Sequence, residues 1–134
     1  MKSDRQVAAL PLKRAADGTT QVLLVTSRQT HRWVVPKGWP FPDRADHLAA
    51  AEEAWEEAGV RGTADPRVLG TFTYQKRRRN GSVSLTVAVY ALMVTEELAT
   101  WPEAKERARD WFDLRDAAAA VEEAELKRIL LSLM

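Results

Sequence analysis

The chain has 134 residues, 46% of them hydrophobic and 29% charged, and its 20 basic and 19 acidic residues leave a net charge of +1. This size and composition predict one soluble globular domain over residues 1–134. The absence of cysteine excludes disulfides, thiolate metal sites and cysteine nucleophiles. No apolar run approaches the roughly 20 residues of a membrane span, and the first residues lack a signal-peptide layout. We therefore expect no membrane partner and a cytoplasmic location.

The first third of the chain reads as short strands separated by turn signals. Residues 6–12 and 22–26 are apolar and flank Asp17-Gly18, a pattern that predicts a β-hairpin. A further apolar run at residues 33–35 ends at Pro36, and the Pro/Gly-rich stretch that follows predicts a loop of defined shape.

A helix is predicted next, beginning at Asp43 or Asp46 and continuing to Ala58. The offsets of 3 and 4 between Leu48, Ala51 and Trp55 predict that these three side chains face the core.

The remaining sequence predicts three strands and two helices. Residues 68–74 and 83–94 read as strands joined by an Asn80-Gly81 hairpin turn. A short strand is expected at residues 109–114, followed by terminal helices at 114–120 and 122–133. The order of elements favours a single α+β domain.

The most informative residues are three glutamates on the predicted helix. Glu53, Glu56 and Glu57 have i, i+3 and i+4 spacing, which places them on one helical face, where like charges repel unless a cation lies between them. Gly59 can end this helix in the left-handed conformation. A carboxylate-lined helix behind a Pro/Gly loop is suited to Mg²⁺, a cation that prefers oxygen ligands.

Residues 38–60, GWPFPDRADHLAAAEEAWEEAGV, resemble the Nudix box, G-x5-E-x7-R-E-U-x-E-E-x-G-U. The resemblance implies a Nudix fold, an α/β/α sandwich around a mixed β-sheet. It also implies hydrolysis of a pyrophosphate bond by water activated by Mg²⁺ or Mn²⁺. The metal ligands implied are Glu53, Glu56, Glu57 and the carbonyl of Gly38. We assign the catalytic role to Glu56 and Glu53, with Glu56 orienting or deprotonating the water. In some members the base lies on a later loop, where this chain offers Glu96, Glu97 and Glu103.

Two positions of the box are exchanged in charge. The family's first Glu is Arg44 here, and its Arg is Glu52. An Arg44–Glu52 ion pair would make the family's loop-to-helix lock with reversed polarity. The alternative is that both side chains are solvated surface groups.

The resemblance extends to SRQTHRWVVPKGW and MVTEELATWPEAKERARDWF, which are similar to the diphosphoinositol polyphosphate phosphohydrolase branch. It implies a polyphosphorylated small-molecule substrate, with inositol pyrophosphates and dinucleoside polyphosphates favoured. Guanidinium groups bind phosphate in a bidentate manner, and Arg107 and Arg109 would share one face of a strand. The candidate substrate-binding residues are Arg28, Arg32, Lys37, Arg77, Arg79, Arg107 and Arg109.

Several alternatives stay open. ADP-ribose or a nucleoside triphosphate is a second substrate class, and a non-catalytic nucleotide-binding module of the same fold is a second functional class. The balanced charge and the single basic run at residues 76–79 argue against nucleic acid as a partner. The sequence leaves open whether the protein is a monomer or a homodimer.

Overall fold

The computed structural model describes residues 4–134, which form a seven-stranded mixed sheet with helices on both faces. The strands are β1 (Arg5–Arg14), β2 (Thr20–Thr26), β3 (Trp33–Val34), β4 (Lys37–Gly38), β5 (Val60–Arg78), β6 (Gly81–Glu97) and β7 (Arg109–Asp113). The helices are α1 (Asp46–Glu53), which continues into a π-helical turn (Ala54–Ala58), α2 (Leu114–Ala120) and α3 (Ala124–Ser132). No helix in the described part of the chain is long and apolar enough to cross a bilayer.

The sheet has the strand order β3-β2-β1-β6-β5, with β4 paired to β1 and β7 paired to β2. Strands β1 and β6 are parallel and the other pairs are antiparallel. The predicted β1–β2 hairpin is confirmed, because Leu12 pairs with Val22. The β5–β6 hairpin is also confirmed, although its strands are longer than predicted and its turn residues are Arg79 and Asn80, with Gly81 at φ 118° opening β6.

Two apolar cores lie on opposite faces of this sheet. Alternate residues of β1 divide between them, since Val7 and Ala9 pack towards α1 whereas Ala8 and Leu10 pack towards α2 and α3. The predicted α/β/α sandwich is therefore confirmed.

The helix carrying the glutamates buries a different face from the one predicted. Leu48 is 48% exposed, and Trp55 is only partly buried, with the guanidinium of Arg61 over its ring. The fully buried positions are instead four alanines, Ala49, Ala50, Ala54 and Ala58. Alanine allows the helix backbone to approach the sheet closely, and the larger side chains are left at the rim.

The prediction that Arg107 and Arg109 lie on one strand is wrong. Strand β7 begins at Arg109, and Arg107 belongs to the preceding irregular segment. The two side chains consequently have different environments, which are described below.

Candidate active site

The backbone of strand β4 packs closely against Glu53, the first of the predicted metal ligands on the helix. Gly38 pairs with Val7 of β1, which fixes its position. A Cβ atom at Gly38 would come within 2.5 Å of Glu53 Oε1, so any side chain there would displace the carboxyl group. Glycine at this position therefore allows direct contact between backbone and carboxylate.

Glu57 is one of the few buried charged residues, with 7% of its surface exposed. Its Oε1 accepts a hydrogen bond from the backbone N–H of Lys37 at 3.3 Å. Its Oε2 lies 3.6 Å from Nη2 of Arg107, which is itself almost fully buried. These contacts hold the carboxylate at the end of the sheet, next to β4.

The glutamates are crowded enough to change their ionisation. Burial raises the pKa of Glu53 to about 8, and the negative charges of Glu57 and Glu56 and a hydrogen bond with Glu57 add to this rise. Burial also raises the pKa of Glu57 to about 7, although the cations of Arg107 and Lys37 oppose it. The negative charge of Glu103 contributes to both pKa values. The site therefore holds more negative charge than its own cations neutralise.

A later loop closes over the C-terminal end of the same helix. The backbone N–H of Glu103 donates to the carbonyl of Glu56 at 3.1 Å, and the indole N–H of Trp101 donates to the carbonyl of Glu57 at 3.1 Å. The Glu103 carboxylate accepts a hydrogen bond from Nε of Arg107 at 2.7 Å. The loop thus brings a fourth carboxylate to the site and links it through Arg107 to Glu57.

Arg109 holds the end of the π-helical turn. Its guanidinium donates to the carbonyls of Ala58 at 2.9 Å, Gly59 at 3.2 Å and Leu98 at 2.6 Å, and it lies 3.9 Å from the ring of Trp101. The carbonyl of Ala58 is among the acceptors that a helix end leaves unpaired, and a cation is favourable there. Gly59 has φ 68°, and a Cβ atom would meet Trp101 at 2.5 Å, so only glycine suits this cap.

The arrangement fits a divalent cation in its chemistry. The predicted ligands Glu53, Glu56 and Glu57 are hard oxygen donors with uncompensated charge, and the Gly38 backbone touches the first of them. Among residues 4–134, no three Asp, Glu or His side chains already converge as a complete metal site. For all three glutamates to bind one metal ion, the Glu57 carboxylate would have to contact both that ion and Arg107.

A second group of charges adjoins the glutamates. Lys37 extends from β4 with its Nζ 4.8 Å from the ring centre of Tyr74, whose hydroxyl donates to Oε1 of the buried Gln6 at 2.6 Å. Burial lowers the pKa of Lys37, and the nearby negative charge of Glu57 opposes this. Arg32 and Arg107 also act on this lysine. We call Arg32, Lys37 and Arg107 the cationic cluster.

The other predicted substrate-binding residues lie further out. Arg28 is exposed and pairs with Glu106 at 3.4 Å. Arg77 and Arg79 are exposed at the β5–β6 hairpin, and strand alternation places Arg77 on the face opposite Tyr74. The charge of Arg78 opposes the rise that burial causes in the pKa of Tyr74.

The exchanged pair of the box is in contact. Nη1 of Arg44 lies 3.8 Å from Oε2 of Glu52, and both side chains are substantially exposed. An exposed pair at this distance contributes about 0–1 kcal/mol.

Four residues that shape this region are not among the predicted site residues. Gln6 and Tyr74 form a buried polar contact, Trp101 covers the helix end, and Glu123 pairs with Arg32. Only Trp101 lies in a segment that local sequence identifies, because Trp101-Pro102 predicts a loop. The other contacts join segments that are far apart in the chain.

Comparison with known proteins gives a consistent result. The family model described as NUDIX domain matches residues 4–133. Diphosphoinositol polyphosphate phosphohydrolase 2 of Rattus norvegicus is 41% identical over 100 residues, which cover 72% of this chain and 52% of that protein. Nudix hydrolase 16, mitochondrial, of Arabidopsis thaliana is 36% identical over 115 residues, 83% of this chain and 63% of that protein. The chain thus spans about half to two thirds of the length of these relatives.

Among solved structures, that of the C. elegans Ap4A hydrolase binary complex superposes with a TM-score of 0.69 at 22% identity, covering 96% of this chain and 93% of that one. At this identity the likeness concerns the fold.

Proposed function

Because this chain belongs to the NUDIX family, we propose that it is a Mg²⁺-dependent hydrolase of a pyrophosphate bond in a polyphosphorylated small molecule. The observation that carries the proposal is the crowding of Glu53 and Glu57, whose pKa values are raised to about 8 and about 7. A cation beside carboxylates held this close together would favour their ionised form at neutral pH, and a phosphate ester bound through that cation would lie beside them.

The residues that would hold Mg²⁺ or Mn²⁺ are Glu53, Glu56, Glu57 and the Gly38 carbonyl. When bound, such an ion neutralises phosphate charge and lowers the pKa of water. Glu56 orients the attacking water and accepts its proton, in line with general-base catalysis. The N–H of Glu103 on the Glu56 carbonyl fixes the backbone that carries this base.

Arg107 acts as a positioning residue in this scheme. Its guanidinium spans Glu57 and Glu103 and donates to the carbonyl of Thr26 at 3.1 Å. With these contacts and only 9% of its side chain exposed, Arg107 orients the carboxylates, and the binding of substrate phosphate falls to Arg32 and Lys37.

The favoured substrates are inositol pyrophosphates and dinucleoside polyphosphates. Their support is the name of the Rattus norvegicus relative together with the cationic cluster beside the glutamates, which suits several phosphate groups. ADP-ribose and nucleoside triphosphates are the competing substrates. We propose that residues 1–134 act as one domain, as a monomer or homodimer and in the cytoplasm.

The test is phosphate release from a substrate panel with and without Mg²⁺, with products identified by mass. The panel contains diphosphoinositol pentakisphosphate, diadenosine tetraphosphate, ADP-ribose and ATP. Glu56→Gln should lower kcat at least about a hundredfold, whereas Asp116→Asn, the matched control at an exposed position of α2, should retain it. Absence of Mg²⁺-dependent cleavage across the panel would refute the hydrolase proposal and leave a nucleotide-binding module.

A further inference from the structure

Glu123, in the segment before α3, forms an ion pair with Arg32 of the cationic cluster. Nη2 of Arg32 donates to Oε2 of Glu123 at 2.9 Å, and the Glu123 side chain is 11% exposed. The adjacent Glu122 approaches Nε of Arg32 only to 3.8 Å and is 70% exposed. The close and sheltered partner is therefore Glu123.

This pairing leaves Arg32 incompletely satisfied. Its Nη1 is buried and has no hydrogen-bond acceptor in the part of the chain that the structure describes. A buried N–H without an acceptor is unfavourable, so one carboxylate hydrogen bond, from Glu123, is a poor match for a guanidinium with five donors. A phosphate group can accept from two guanidinium nitrogens at once.

The Glu123 carboxylate lies near the cationic groups that would bind a substrate phosphate. Its charge acts on Lys37 and on Tyr74, the residue beneath the Lys37 ammonium group. Glu57 of the metal-binding helix acts on both residues as well. Glu123 thus lies beside the cationic cluster, which separately contacts Glu57 through Arg107.

Displacing the Glu123 side chain would not remove a helix cap. Glu123 is the residue before α3, and its carboxylate makes no capping hydrogen bond to that helix. It lies in the short segment between α2 and α3, outside both helices.

We propose that Glu123 is a specificity-determining residue whose carboxylate occupies, on Arg32, the place of a substrate phosphate distant from the scissile bond. The inference deepens and rests on the proposed function. Ligands with several phosphates reach Arg32 and displace Glu123. A ligand with one phosphate binds at the metal-binding glutamates and leaves the Arg32–Glu123 pair intact.

The experiment measures the Kd of two ligands by calorimetry in the presence of Mg²⁺. Inositol hexakisphosphate carries many phosphates and AMP carries one, and neither has an anhydride bond to be cleaved. Glu123→Gln should tighten binding of inositol hexakisphosphate about tenfold, since one charge-assisted contact no longer competes, and should leave that of AMP unchanged. Glu122→Gln, the matched control, should change neither.

Unchanged or weaker binding of inositol hexakisphosphate by Glu123→Gln would overturn the proposal, as would equal tightening of AMP or no binding by the wild type. Glu123→Asp retains the charge but shortens the side chain. Its Kd for inositol hexakisphosphate should lie between those of the wild type and Glu123→Gln. This variant keeps the test decisive where Glu123→Gln does not fold. Binding is read without turnover, so failure of the hydrolase proposal would appear separately, in the substrate panel.

Discussion

Replacing Glu53 with glutamine should stabilise the metal-free protein at alkaline pH. The pKa of this carboxyl rises from 4.5 to about 8 because of burial, followed by the charges of Glu57 and Glu56. Between these two pH values the folded protein holds a proton that the unfolded chain has released. The stability of the wild type must therefore fall as pH rises through this interval, with the full penalty above the folded pKa and none below the unfolded one.

The size of the effect follows from the same shift. A rise from 4.5 to about 8 corresponds to at most about 5 kcal/mol. Because Glu53 is only partly buried and shares a proton with Glu57, solvent screening and coupling reduce the expected penalty to about 2 kcal/mol. Glutamine preserves the shape of the protonated side chain and its hydrogen bond, but it cannot ionise.

Urea unfolding in EDTA at about pH 4 and about pH 8.5 measures this penalty as the difference between wild type and Glu53→Gln. Taking the difference cancels titration elsewhere in the chain. The variant should be the more stable protein by about 2 kcal/mol at the higher pH and about equal at the lower one. Glu52→Gln, one residue earlier and paired with Arg44 at the surface, should show no pH-dependent difference. A variant less stable than wild type at about pH 8.5 would refute the reasoning about crowded charge.

Three further variants test individual roles. Glu57→Gln should lose at least about a hundredfold in Mg²⁺-dependent turnover, and a variant that keeps most of it would contradict the ligand assignment. Arg109→Met should lower the free energy of unfolding by about 2–3 kcal/mol, because three carbonyls lose a charged donor. An unchanged urea midpoint with a raised KM would instead favour the predicted substrate-binding role of Arg109. Arg44→Glu should lower the free energy of unfolding by about 0.5–1 kcal/mol and reduce activity. Adding Glu52→Arg should restore both. A double variant no better than the single one would rule out the lock, as judged by urea unfolding and kcat/KM.

Features that depend on nearby residues could be predicted from the sequence. The box helix, its glycine cap at Gly59 and the two hairpins follow from periodicity and turn chemistry over a few residues. The buried face of α1 could not be predicted in the same way, because helical spacing allows both Leu48 with Trp55 and the alanines. The sheet decides between them, since only the small side chains of Ala50 and Ala54 fit against it.

Contacts between segments that are distant in the chain could not be predicted from local sequence patterns. Alternation along a strand suggested that Arg109 faces a ligand, but its guanidinium donates instead to the carbonyl of Ala58, at the end of the π-helical turn, and to that of Leu98. The pair of Arg32 and Glu123 joins residues 91 positions apart, and nothing in either local sequence specifies the other.

The charges of the site show why its two halves belong together. On one side the carboxyls of Glu53 and Glu57 have raised pKa values, so this half lacks positive charge. On the other side Arg32 has a buried donor without an acceptor in the described residues, and burial lowers the pKa of Lys37, so this half lacks anions. The two halves cannot neutralise each other further, because Glu57 already contacts Arg107 and Arg32 already contacts Glu123. A divalent cation with a polyphosphate chain brings positive charge to the first half and phosphate oxygens to the second. Either component alone relieves only one half, so metal and polyphosphate should bind cooperatively.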